Sequence, residues 1–158
     1  MTLLKLTAED FDNGKYRGSL DEFDVSVEIA GGLGTVFFDS LAVAGSIVAG
    51  PGTGIKAGAG IQAGAGIKAG LGIEAGHGIE AGEGIRAGRG IEAGWSIRAG
   101  HGIEADDGIE AGHGIEAGWS IVCKGVLKCR GLRLAVHDSG GGSYSVSESR
   151  ADTKGEDR

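Results

Sequence analysis

Four histidines, two cysteines and two tryptophans are the side chains of this 158-residue sequence best suited to chemistry or tight recognition. His77, His101 and His113 recur in the phrase A-G-H-G-I or its close variants, while His137 stands apart. A metal ion would need three or four such ligands converging at about 2.0–2.3 Å. Histidines spaced along a repeat stack instead of converging, so they read as solvated outward residues and no metal ligand is assigned. Cys123 and Cys129 lie six apart, which is not a C-x-x-C spacing, and they take places that alanine holds elsewhere. They read as core fillers, with a redox or metal pair as the alternative. No G-x-S-x-G, P-loop lysine motif or dinucleotide fingerprint in a strand-to-helix context is present. The chain reads as a non-enzyme with no cofactor.

Trp95 and Trp119 are different, because both occur as W-S-I in a position that otherwise tolerates any residue. An aromatic there adds little to a core and exposes a large apolar face, which is how binding hot spots are built. The alternative is that each indole lies flat over a neighbouring glycine as a lid. Together with His77, His101, His113 and Arg89, the two tryptophans form the candidate partner-binding set.

What positions these residues is a repeat. Isoleucine falls at 55, 61, 67, 73, 79, 85, 91, 97, 103, 109, 115 and 121 without a slip. Alanine follows two places later until Cys123, and glycine three and five places later with exceptions at Asp106, Lys124, Ser96, Ser120 and Val126. In the unit I-x-A-G-x-G, an extended backbone puts Ile and Ala on one face and the intervening residue on the other. G-x-G then turns the chain, since glycine adopts positive φ freely and lets one backbone pass close to another. A strand and a corner every six residues must coil. Coils stacked at about 4.8 Å give a parallel β-solenoid with Ile on Ile, and Ile73, Ile79, Ile85, Ile91, Ile97 and Ile103 form its central core. A glycine triplet helix fails on register, and an amphipathic helix fails because 21 of residues 51–124 are glycine.

Charge chooses the coil. Three units per coil, about 18 residues, stack Glu80 on Arg98 on Glu116 and Arg86 on Glu104, whereas two units pile Glu80, Glu92, Glu104 and Glu116 into one repelling column. The triangular prism is therefore favoured, with Trp95 between His77 and His113, and Trp119 beside His101 and Glu83. The 12-residue coil stays open because it gathers His77, Arg89, His101 and His113 at one corner.

The expected organisation is one all-β domain. Residues 1–50 supply strands and a cap, including Phe23, Val25, Val27, Ile29, Val36, Phe38, Leu41 and Val43. Residues 51–126 are the solenoid, 127–137 a C-terminal strand cap, and 138–158 a flexible polar tail. After Ile121, Leu127 and Cys129 keep the Ile and Ala slots before Leu132, Leu134 and Val136 break register. That edge is capped or forms a homodimer.

The net charge of −7 and the absence of a basic stripe argue against direct nucleic-acid binding. The opening MTLLKLTAEDFDNG has no long apolar region and no cleavage site, so the expectation is a cytoplasmic protein without a membrane span.

The six-residue aliphatic repeat over 55 to about 126 resembles hexapeptide-type β-helix proteins. Because alanine follows isoleucine here, where left-handed hexapeptide enzymes place the small residue before it, a right-handed, bactofilin-like coil is the other resemblance. Hexapeptide acyltransferases use a histidine beside a coenzyme cleft and a loop protruding from the coils, and residues 55–126 contain no such loop, leaving acyl transfer a remote alternative. The tandem GIxAG array is also similar to uncharacterised proteins of bacteriophages and mobile elements. That likeness implies a counter-defence, anti-CRISPR-type inhibitor or decoy in the host cytoplasm, with a bacterial defence complex as its protein partner. A self-assembling, bactofilin-like structural solenoid is the alternative.

Overall fold

A computed structural model describes residues 1–16, 20–22 and 24–134; Phe23, Val136, His137 and the 138–158 tail lie outside the described residues. The chain is a three-sided parallel β-solenoid of about six turns with about 18 residues per turn. Three sheets of seven, eight and seven strands run along the rod. Sheet I starts at Thr2–Leu6, sheet II at the hairpin Phe11–Asp12 and Lys15–Tyr16, and sheet III at Leu20–Glu22. Neighbours pair in parallel except within that hairpin.

Register follows the isoleucines. Ile61, Ile79, Ile97 and Ile115 sit directly above one another in sheet III, eighteen residues apart. Sheets I and II do the same with Ile67, Ile85, Ile103 and Ile121, and with Ile55, Ile73, Ile91 and Ile109. The 12-residue coil is thereby ruled out. Most array strands are three residues long, Ile-x-Ala, with both inward side chains buried. The isoleucines from 55 to 115 are at most 1% exposed, including all six assigned to the central core.

Glycine earns its place in the array by proximity, not by positive φ. Among the described residues the left-handed glycines are Gly14, Gly32, Gly34 and Gly52, all before the regular units. In the array a Cβ on the first glycine of a unit, such as Gly82, Gly94 or Gly100, would drive into the carbonyl oxygen of the glycine one coil below. On the second glycine the demand is looser. A Cβ at Gly60, Gly84 or Gly90 would stand 3.3 Å from the carbonyl of the coil above. Serine replaces second glycines at Ser96 and Ser120, while the first-glycine slot admits a side chain at Asp106 and Lys124, which face each other in adjacent coils and hydrogen-bond at 2.9 Å.

Earlier coils are wider. Val27 pairs with Ile47 and Leu41 with Ile61, twenty residues apart, the extra length being taken up at corners such as Gly31–Gly32 and Gly50–Pro51–Gly52. There the fully buried Thr53 hydroxyl donates to the Ala30 carbonyl at 2.8 Å and accepts from the Leu33 N–H at 3.0 Å. At the first coils Phe11, Tyr16 and Phe38 fill the interior, with ring centroids 5.4–5.9 Å apart.

At the other end the register shortens without being lost. Leu132 and Leu134 pair with Ile115 and Ala117, seventeen residues apart, so they continue the Ile and Ala columns that they were expected to leave. Ile121, Cys123, Leu127 and Cys129 pack against the core but are only partly buried, and Leu132 is 42% exposed.

Candidate functional site

The corner residues are presented by the G-x-G turns, whose backbone hydrogen bonds run up the stack. Trp95 N–H donates to the His77 carbonyl at 2.8 Å, and His113 N–H to the Trp95 carbonyl at 2.7 Å, aligning the three at the corner between sheets II and III. His101 N–H donates to the Glu83 carbonyl and Trp119 N–H to the His101 carbonyl, each at 2.9 Å, at the corner between sheets III and I. Side-chain rings follow their backbones. Trp95 lies on His113 and Trp119 on His101, each pair with centroids 5.0 Å apart and rings tilted by 45° and 38°.

Both indoles are exposed, Trp95 at 62% and Trp119 at 68%. Each is followed by serine, and the strands Ser96–Ala99 and Ser120–Cys123 begin one residue early, pairing Ser96 with Gly114 and Ser120 with Gly102. The ladder is thus one residue longer beside each tryptophan.

These two corners bound the same sheet. Sheet III runs from Trp95 to His101 in one coil and from His113 to Trp119 in the next. The outer face of sheet III is therefore a flat strip, roughly 20 Å wide at strand geometry, with an indole–imidazole pair on each edge. Between them stand Arg98 and Glu116, joined by an ion pair of 3.4 Å. Glu80 stacks below Arg98 and Arg133 above Glu116, giving an alternating Glu–Arg–Glu–Arg column. A shallow groove follows the second-glycine column on this face, past Gly60, Gly78 and Ser96.

Arg89 is not part of this arrangement. It lies at the third corner, its N–H donating to the Leu71 carbonyl and its carbonyl accepting from Asp107 N–H. The structure brings His77, Trp95 and His113 together, and His101 with Trp119, and leaves Arg89 across the prism.

Glu80, Arg98, Glu116 and Arg133 were not picked out as site residues from sequence, although the first three had served to choose the coil. Writing the chain in rows of eighteen would have shown the tryptophans framing their column. The other faces differ. Sheet II carries Lys56, Glu74, Glu92, Glu110 and Lys128 in order, with ion pairs Lys56–Glu74 at 2.5 Å and Lys128–Glu110 at 2.6 Å around three stacked carboxylates. Sheet I carries Lys68, Arg86, Glu104 and Val122, with Arg86–Glu104 at 2.7 Å.

The two thiols are free and half-buried. Burial raises the pKa of both above the usual thiol value, against weaker hydrogen bonding from nearby backbone. Their packing against the core suits the filler reading. Among the described residues no three His, Cys, Asp or Glu side chains are placed to hold a metal ion, and no helix is long and apolar enough to cross a membrane.

No protein-family model, no curated protein and no solved structure matches the chain. The likeness of the GIxAG array to phage and mobile-element proteins therefore gains no support from these comparisons.

Proposed function

We propose that the chain is a non-enzymatic binding module, an inhibitor or decoy that covers part of a protein partner with the outer face of sheet III. The observation that carries this reading is the pair of exposed tryptophans, each braced by a histidine of the adjacent coil, on opposite edges of one flat sheet. A fold stabilised by Ile and Ala has no need of two solvent-facing indoles, and holding them rigid lowers the entropy lost on docking. The test is affinity for a partner isolated with the intact chain. Trp95→Ala or Trp119→Ala is expected to weaken binding by about thirtyfold, the loss typical of a hot-spot aromatic, with the β-type circular dichroism unchanged. Wild-type affinity in both variants would overturn the proposal. Its narrowest form, counter-defence against a bacterial immune complex, rests on the array's resemblance alone; protection of an invading phage or plasmid in cells expressing the chain tests it.

A second reading, a self-assembling rod, is favoured by the ends. The last described coil, 120–134, carries Lys124, Lys128, Arg130 and Arg133 and no acid around its half-exposed apolar interior. At the opposite end Glu9, Asp10, Asp12, Asp21 and Asp24 outnumber Lys5 and Lys15. Charge thus favours stacking head to tail and opposes like ends. Filaments in negative-stain images that dissolve with added salt would support this reading; unaggregated rods at all salt concentrations would remove it.

A further inference from the structure

We infer that the face of sheet III is self-complementary and docks on the same face of a second copy, with the two rods antiparallel. Down this face the outward residues are Glu80, Arg98, Glu116 and Arg133, one per coil. A two-fold axis parallel to the strands, midway between Ser96–Ala99 and Gly114–Ala117, exchanges each coil with the one equally distant on the other side. Glu80 then faces the partner subunit's Arg133, and Arg98 faces the partner subunit's Glu116, with the reciprocal contacts generated by symmetry. All four charges meet their opposites.

The edges obey the same operation. Trp95 falls over the partner subunit's His113 at one edge and Trp119 over the partner subunit's His101 at the other. Each edge becomes a four-ring cluster in which the exposed indole faces are covered, a geometry aromatic groups favour.

Neither other face has this property. The sheet II column Lys56, Glu74, Glu92, Glu110, Lys128 is symmetric in sign about Glu92, so facing copies would oppose carboxylate to carboxylate and amine to amine. On sheet I, an axis through the Arg86–Glu104 pair leaves Lys68 opposite Val122. Two copies therefore have one face on which both charge and aromatic surface match. Four coils at about 4.8 Å and a strip roughly 20 Å wide give a footprint of about 400 Å² per copy, below that of stable specific complexes and in the range of weak, transient ones. The pair is weak and concentration-dependent, and it forms and dissolves instead of being obligate.

The inference rests on the same reading of sheet III as a docking surface, and it makes self-association compete with binding of a foreign protein. The test is a charge-swap pair, E80R and R133E, studied by sedimentation velocity over about a thousandfold range of concentration. Each variant alone sets two like-charge contacts across the axis and is expected to self-associate about tenfold more weakly than the intact chain, or not at all. Mixed in equal amounts they restore association, because the introduced arginine faces the introduced glutamate. Circular dichroism melts check that both substitutions, at exposed positions, leave the fold intact, and the Trp95→Ala/Trp119→Ala double variant, which removes both edge clusters, is expected to be monomeric. An intact chain that stays monomeric throughout, single variants that associate like the intact chain, or a mixture no better than its components would each overturn the inference. Foreign-partner binding is scored separately on E80R, so a retained partner with lost self-association, or the converse, shows which of the two readings has failed.

Discussion

The two glycines of one repeat unit should differ sharply when each is changed to alanine. Gly82 and Gly84 lie two residues apart at the same corner, so either substitution removes similar backbone entropy from the unfolded chain, worth about 0.4–1 kcal/mol in favour of folding. Their native surroundings differ. A Cβ at Gly82 would enter the Gly64 carbonyl, closer than the 3.0 Å below which something must shift, whereas at Gly84 it would lie 3.3 Å from the Gly102 carbonyl. Relief at Gly82 requires adjacent coils to part where Gly82 N–H bonds the Ala63 carbonyl and Glu83 N–H bonds the Ala65 carbonyl, both at 3.1 Å. Weakening two ladder bonds at about 1 kcal/mol each, with overpacking of about 1–3 kcal/mol, gives a net loss of about 2–4 kcal/mol for Gly82→Ala. Gly84→Ala should stay within about 1 kcal/mol of the intact chain, since the small gap and the entropy gain offset one another. Thermal melts followed by circular dichroism should separate the two by roughly 10 °C. Equal melting temperatures would refute the view that carbonyl proximity selects glycine, and would return the corners to a conformational explanation.

Replacing the 1%-exposed Ile85 by Asp puts a carboxylate between Ile67 and Ile103; it should abolish the cooperative melt, and a retained transition would contradict the stacked core. Glu92 stands between Glu74 and Glu110, so Glu92→Lys should raise stability by about 0.5–1 kcal/mol at low salt and by less at high salt, as salt-series melts would show. The last coil should loosen first in alkali. Cys123 and Cys129 have pKa values raised above 9.0 by burial, so as pH rises through 9.0 the unfolded chain ionises first and their preference for the folded state is lost. Lys124 and Lys128, raised above 10.5 chiefly by hydrogen bonds to Asp106 and Glu110, contribute fully below 10.5 and cease to do so as pH climbs through their folded values. Trp119 fluorescence should therefore change before the β-type circular dichroism does. At pH 8 both thiols should alkylate more slowly in the folded chain than in urea; equal rates would remove the burial argument.

The middle of the chain is legible because every constraint there has the same period. Ile, Ala and glycine fix strand and corner, and the opposite charges of Glu80, Arg98 and Glu116 fix how many corners close a coil. The first coils are harder to read, since Val27 to Ile47 and Leu41 to Ile61 span twenty residues and the hexad vanishes from view. Their alternating Val, Phe and Leu residues still mark inward faces, but pairing in parallel with the array depends on contacts twenty residues away. The seventeen-residue step to Leu132 is hidden for the same reason: deleting one corner residue looks like lost register in a linear text, while the backbone simply cuts the corner. Corner chemistry was legible as position but not as partnership. That Trp95 meets His113 follows from the coil length; that Trp95 and Trp119 frame one face with Arg98 and Glu116 between them needs the prism itself.

A rod of this kind separates what folds it from what it can recognise. Inward slots accept almost nothing but Ile and Ala, and most first glycines are held by a carbonyl that a Cβ would strike, Asp106 and Lys124 being the exceptions. The outward strand residue and the corner residue are the freest, one each per unit, and most of the array's sequence variation falls on them. Variation at these slots is consequently not filtered by stability, so a costly choice such as an exposed indole needs a reason outside the fold. Two such choices fall on adjacent coils and on the two edges of the same sheet, each stacked on an imidazole that takes the same corner slot. If sheet III is the docking surface, as proposed, substitutions confined to the outward slots of sheets I and II should leave both self-association and partner binding unchanged.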